Sequence, residues 1–147
     1  MNNGYVVDTT SLISYFNNIF GGPAKISRDA LKIIETAFKR DSDIKLSIPS
    51  IVFVEIFDKW FGNEEIAAAV RSEIMSIIAE RANIEIKPVE KEVLENFIKI
   101  NDGFIKFDNH DKIILASSMM LQWPLITSDS RIIRYNNKYK VIPNIIK

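Results

Sequence analysis

Four carboxylates in this chain interrupt apolar surroundings, and chemistry is to be sought there first. Asp8 ends the short run Tyr5-Val6-Val7. Glu55 sits within Ile51-Val52-Phe53-Val54-Glu55-Ile56-Phe57, with apolar residues on either side. Asp111 and Asp129 bracket an apolar stretch, HDKIILASSMMLQWPLITSD, whose interior holds almost no charge except Lys112. An ionised carboxylate buried without a partner is expensive. Several packed together repel one another, and some protonate unless a cation compensates. The hard cation that suits oxygen ligands and phosphate chemistry is Mg²⁺, with Mn²⁺ as a substitute. Such an ion can activate water, orient a phosphodiester and stabilise the leaving oxygen. The hydroxyls of Thr9, Thr10, Thr127 and Ser128 stand close in sequence and can bond the acids or metal-bound water.

Each acid alone has a plainer explanation. Asp8 can be a helix cap or turn residue. Glu55 can pair with Lys59 four residues on. Asp111 falls near a helix N-terminus, where the helix dipole favours an anion, and Asp108 can be the N-cap there. His110 is the only histidine, and a lone histidine is more often a local hydrogen-bonding residue than a ligand, so it is left out of the core site.

The elements that must position these acids follow from periodicity and breakers. Tyr5–Val7 reads as a buried strand, followed by a helix carrying Leu12, Ile13, Tyr15 and Phe16. Gly21-Gly22-Pro23 is a turn, and Ser27 caps a helix with apolar residues from Ala30 to Phe38 at helical spacing. Ile44–Ile48 is a second strand ended by Pro49, and the Glu55 helix follows it up to Gly62-Asn63. A helix from Glu64 to about Arg81 leads to a third strand, Ile84–Lys87, whose alternation suits a position nearer a sheet edge. A helix from Glu90 to Ile100 comes next, then the Asp111 helix, which ends before Pro124. Leu125–Thr127 is a fourth strand, Arg131–Tyr135 a short helical turn, and Lys140–Ile142 a last short strand. Helices between nearly all strands predict a three-layer α/β/α domain with a mostly parallel central sheet of about four to five strands, spanning 1–147 as one domain. In open parallel sheets ligands bind beyond the C-terminal strand ends. Asp8, Glu55 and Asp129 all map to that edge, and Asp111 can reach it from its helix start.

Bulk properties exclude several classes. The chain has 147 residues, zero formal net charge and no cysteine. Neutrality argues against a broadly basic nucleic-acid coat, though not against a nuclease with an acidic centre. Without cysteine there is no disulfide framework and no thiolate chemistry. No glycine-rich phosphate loop is present, which argues against an NTPase. No apolar run reaches the ~18 residues of a membrane span, and MNNGYVV lacks the marks of a signal peptide. The expected location is cytoplasmic, with no membrane partner.

These motifs resemble the PIN domain family and, within it, the small VapC-like toxins. The matching segments are VVDTTSLI with Asp8, PSIVFVEIF with Glu55, HDKIILASSMM with Asp111 and PLITSD with Asp129, whose order spans essentially the whole chain. The resemblance implies a PIN-like fold and a Mg²⁺- or Mn²⁺-dependent ribonuclease, with Asp8, Glu55, Asp111 and Asp129 as metal-binding catalytic residues. It also implies an RNA substrate, a homodimer and a cognate antitoxin that blocks the acidic pocket, as in type II toxin–antitoxin pairs. Two departures stand out: Thr10 replaces a commoner Asn or Ser, and Gln122-Trp123 replaces a small or glycine-containing turn. Arg131, Lys112 and Arg134 are candidate contacts to RNA phosphate. Other readings are a non-catalytic PIN-like module that binds RNA or protein, an RNA-processing PIN nuclease that is not a toxin, and an acidic-pocket phosphatase. The last lacks a second Asp two residues after Asp8. Asn at position 8 or 129 is expected to leave folding near intact and to relieve like-charge repulsion.

Overall fold

The computed structural model describes residues 3–59 and 64–147. The order is β1 (Gly4–Val7), α1 (Thr9–Ile19), α2 (Arg28–Phe38), β2 (Lys45–Pro49), α3 (Ser50–Lys59), α4 (Glu64–Ala69), a π-helical segment (Val70–Ile74), α5 (Met75–Glu80), β3 (Ile84–Lys87), α6 (Lys91–Phe97), α7 (Asn109–Leu121), β4 (Leu125–Ile126), α8 (Ser130–Tyr139) and β5 (Ile145–Ile146). The expected helix end at Gly62-Asn63 lies outside the described residues.

All strand pairs are parallel, in the order β3-β2-β1-β4-β5. β1, β2 and β4 hold the middle of the core, with Val6, Val7, Leu46, Ile48, Leu125 and Ile126 fully buried. β3 is an edge strand, as its alternation suggests. Strands β1, β2 and β3 step one way across the sheet, whereas β4 and β5 lie on the other side of β1. The chain thus reverses its direction across the sheet after β3, and crossovers of one hand then cover both faces with helices. The result is the expected three-layer α/β architecture. α7 packs on α6, α3 and β1, and its near-continuous burial from Ile114 to Met119 reflects that central position. No described helix is long and apolar enough to cross a membrane.

Four local expectations are corrected. The last strand is not Lys140–Ile142. Lys140 takes a left-handed conformation, φ 54°, and closes α8. The Asn136 side chain then claims Ile142, accepting from its N–H at 3.0 Å. The strand forms only beyond Pro143, where Leu125 N–H donates to Asn144 O and Thr127 N–H to Ile146 O. α8 itself is a ten-residue helix rather than a short turn. Ile132, Tyr135 and Asn136 are its buried residues, and the asparagine hides the apolar period. The stretch from Glu64 to Arg81 is not one regular helix. A π segment, Val70–Ile74, interrupts it, and the Ser72 and Ser76 hydroxyls there and just beyond bond back to Ala68 O and Ser72 O. Finally, α6 is shorter than Glu90–Ile100. Glu90 stands before its first turn, and Lys99 and Ile100 close it with bonds to carbonyls three residues back.

Candidate active site

The sheet order reverses at β1. Chain connections leave β1 towards β2, while β4 lies on its other flank, so a crevice opens beyond their C-terminal ends. Asp8 follows β1 at once, and its N–H donates to Ile126 O at 3.1 Å, holding it against β4. Asp129 lies three residues past β4, and its N–H donates to Thr127 Oγ1 at 3.1 Å. Glu55 projects from α3, the helix that β2 launches directly. Asp111 belongs to the first turn of α7. All four acids line one cavity of about 260 Å³, together with Thr9, Thr10, Asp108, Ser128 and Arg131.

The simpler roles and the site roles coincide. Asp8 Oδ1 caps α1 by accepting Ser11 N–H at 2.8 Å. Asp129 Oδ1 caps α8 by accepting Arg131 N–H at 2.8 Å. Asp108 is the N-cap of α7 and accepts Asp111 N–H at 2.9 Å. Three helix N-termini therefore start at the cavity, and their dipoles favour negative charge there. Glu55 is held differently, since Oε1 accepts the Thr9 hydroxyl at 2.6 Å. His110 Nδ1 lies 3.7 Å from Glu55 Oε2, with the imidazole about half exposed, so this histidine stands at the rim. The alternative partner, the Lys59 side chain, lies outside the described residues.

The carboxylates do not titrate alike. Burial pushes Asp8 above the ordinary range and the charge of Asp129 adds to this, against donors from Ser11 and Thr127. Asp111 is pushed up to about 6, by burial first and then by Asp108, Asp129 and Glu55, with Arg131 opposing. Burial also acts on Asp129, but the Arg131 guanidinium and backbone donors overcome it and hold this acid below its usual value. Asp129 and Asp111 share one arginine yet shift in opposite directions. The guanidinium grips Asp129 with Nε at 3.2 Å on Oδ1 and Nη2 at 2.8 Å on Oδ2. It gives Asp111 a single bond, Nη2 to Oδ2 at 2.8 Å, and that acid faces the other negative charges. The Arg131 pKa is raised in turn, chiefly by its hydrogen bond to Asp129.

Arg131, by sequence only a candidate phosphate contact, instead grips both acids. The signal is present, because an arginine two residues past a helix-capping Asp can reach back to it. Lys112 is not a free phosphate contact. Its ammonium donates to Asp102 at 2.9 Å and lies 4.3 Å from the centroid of Phe97. Arg134 lies one turn past Arg131 on α8, with its guanidinium 5.8 Å from the Phe104 centroid. Among the described residues, no three acidic or imidazole side chains already converge as a ligand cluster. The donor set still suits a hard cation. Five carboxylates line the cavity against one guanidinium, and all offer oxygen.

No family model and no curated protein matches the chain. Solved structures do. A chain of the FitAcB structure from Neisseria gonorrhoeae is 11% identical, and the match covers 97% of this chain and 96% of that one, with a TM-score of 0.67. The VapBC2 complex of Rickettsia felis, bound to a promoter DNA fragment, gives 16% identity, 97% and 96% coverage and a TM-score of 0.63. The fold is that of a PIN domain. A toxin–antitoxin complex from Klebsiella pneumoniae matches over the same shares of both chains, at 18% identity and a TM-score of 0.59. At such identities the likeness speaks for the PIN fold, and the four acids at its strand-end crevice are this chain's own evidence for chemistry.

Proposed function

We propose that this chain is a Mg²⁺- or Mn²⁺-dependent endoribonuclease and the toxin of a toxin–antitoxin pair. The observation that carries this reading is the meeting of Asp8, Glu55, Asp111 and Asp129 around one cavity at the crevice between β1 and β4. These acids come from four separate segments, and helix capping by Asp8 and Asp129 accounts for neither Glu55 nor Asp111 in the same cavity. Asp8, Asp111 and Asp129 would hold the metal, directly or through water, and Glu55 would ligate it or orient the attacking water. The ion would supply the Lewis acidity that phosphodiester hydrolysis needs at neutral pH. Thr9 fixes the Glu55 carboxylate, and Thr10 and Ser128 line the same cavity. The toxin assignment is supported by solved neighbours that are toxin–antitoxin complexes. Under this reading a cognate antitoxin covers the acidic cavity, and the chain pairs with a second copy of itself.

A second reading, a PIN-like module that binds RNA or protein without cutting, draws on the guanidinium already occupying two of the acids. Incubating the full chain with a mixed RNA pool separates the two. New RNA ends that appear with Mg²⁺ or Mn²⁺ and vanish with EDTA are expected. RNA retained by the protein in EDTA, with no new ends under any metal condition, would favour the binding module.

A further inference from the structure

The two halves of the acidic cavity are neutralised in different ways. On one side, Asp8 and Glu55 accept from neutral donors, the Ser11 amide and the Thr9 hydroxyl. Neutral donors of this kind can remain when a cation arrives. On the other side, the Asp111–Asp129 pair is held by a full positive charge. Both oxygens of Asp129 and Oδ2 of Asp111 accept from Arg131. Three of the four carboxylate oxygens on that side therefore already serve a guanidinium, and only Asp111 Oδ1 does not. A guanidinium and a metal ion on the same oxygens would also repel each other at a few ångströms.

Resting on the metal-nuclease reading, we propose that Arg131 is a built-in counter-ion: it neutralises Asp111 and Asp129 in the metal-free protein and leaves them when a divalent cation binds. Its position allows this. The side chain is 44% exposed, against 19% for Asp111 and 22% for Asp129. It stands in the first turn of α8, so a rotamer change carries the guanidinium to water without disturbing the core. The helix keeps its cap throughout, because Asp129 Oδ1 holds the Arg131 backbone N–H independently of the side chain. The competition makes metal affinity lower than the acids alone would give, and it spares the empty pocket the repulsion of its own charges.

Mn²⁺ affinity is measured by calorimetry on the full chain, comparing wild type with Arg131→Gln and Arg131→Lys and using Asp8→Asn to identify site binding. Removing the charge should tighten Mn²⁺ binding on the order of tenfold, the scale of a charge-assisted hydrogen-bond pair. Lys, a point charge without the fork, should give a smaller gain. In the wild type, the Arg131 Nε–H resonance should shift and exchange faster on saturation with Mg²⁺, a readout that needs no variant to fold. Unchanged or weaker Mn²⁺ binding in Arg131→Gln, or an Arg131 resonance indifferent to Mg²⁺, overturns the proposal while leaving the metal site standing. Absence of any Asp8-dependent Mn²⁺ binding in wild type removes the proposal together with the metal site.

Discussion

Thr9 Oγ1 donates to Glu55 Oε1 across 2.6 Å, tying the start of α1 to the middle of α3. The bond shows how an acid flanked by apolar residues is tolerated. Glu55 turns out of the apolar run towards the strand-end crevice, where a hydroxyl already waits. Thr9 is itself buried, with 4% of its surface exposed, so the bond is sheltered from competing water.

Thr9→Val keeps the shape and removes the donor. It should cost about 1 kcal/mol in chemical denaturation, the usual net worth of one hydrogen bond. Glu55→Gln retains an accepting oxygen for Thr9, so stability should stay near wild type while RNA cleavage is lost. A Gln variant that cuts normally would show that the Glu55 charge takes no part in the reaction.

Like-charge repulsion alone would act on Asp8 and Asp129 alike, but their surroundings separate them. Asp8 is buried and held above its ordinary pKa, so its charge is a burden to the metal-free protein. Asn can still cap α1. Asp8→Asn should therefore raise the melting temperature in EDTA. Asp129 is held below its ordinary value by Arg131, and Asp129→Asn takes the main partner from that guanidinium. Its melting temperature in EDTA should fall. Equal shifts in both variants would contradict the asymmetry.

Asp111 gives a pH signature. Its pKa rises from 3.8 to about 6 on folding. Between these values the folded chain holds more protons than the unfolded one, so the stability this group contributes, full below 3.8, falls as pH rises and is lost above about 6. Asp8 acts in the same direction and Asp129 in the opposite one. In EDTA, the wild type should lose more melting temperature than Asp111→Asn between pH 5 and pH 7. Cation affinity should climb over the same window, because the bound state needs the ionised carboxylate. Identical pH profiles for the two proteins would show that Asp111 does not titrate there.

Gly4 and Trp123 answer one sequence oddity. The turn before β4 carries Gln122-Trp123 instead of small residues. Gln122 takes a left-handed conformation, φ 53°, and its amide donates to Met119 O and Val141 O. The indole lies over Gly4, where a Cβ would fall 2.4 Å from Trp123 Cε2. Gly4→Ala should cost roughly 1–3 kcal/mol of stability, the range for overpacking. Adding Trp123→Ala should cancel much of the Gly4 penalty in a double-mutant cycle.

Much of the fold was legible because strand and helix periods are strong where burial is complete. Val6-Val7, Leu46 to Ile48 and Ile114 to Met119 could hardly be read otherwise. Legibility ended where side chains, not periodicity, decide the backbone. Asn136 captures Ile142 and delays the last strand past Pro143. The same holds at the site. The acids stood out because each breaks an apolar context, and parallel-sheet logic sends them to one edge. The Arg131 bridge depends on a rotamer and on where α7 starts relative to α8, and neither is written in local sequence.

The central claim is that the four acids form one metal-dependent cleavage site. The most direct test is single-turnover cleavage of a responsive RNA in Mn²⁺ by wild type, Asp8→Asn, Glu55→Gln, Asp111→Asn and Asp129→Asn, each checked for folding, with EDTA as the metal-free control. Every folded variant should fall by about 10²-fold or more, the scale of losing a positioned catalytic group, and EDTA should abolish the wild-type rate. Undiminished cleavage by any well-folded variant, or by the wild type in EDTA, would contradict it.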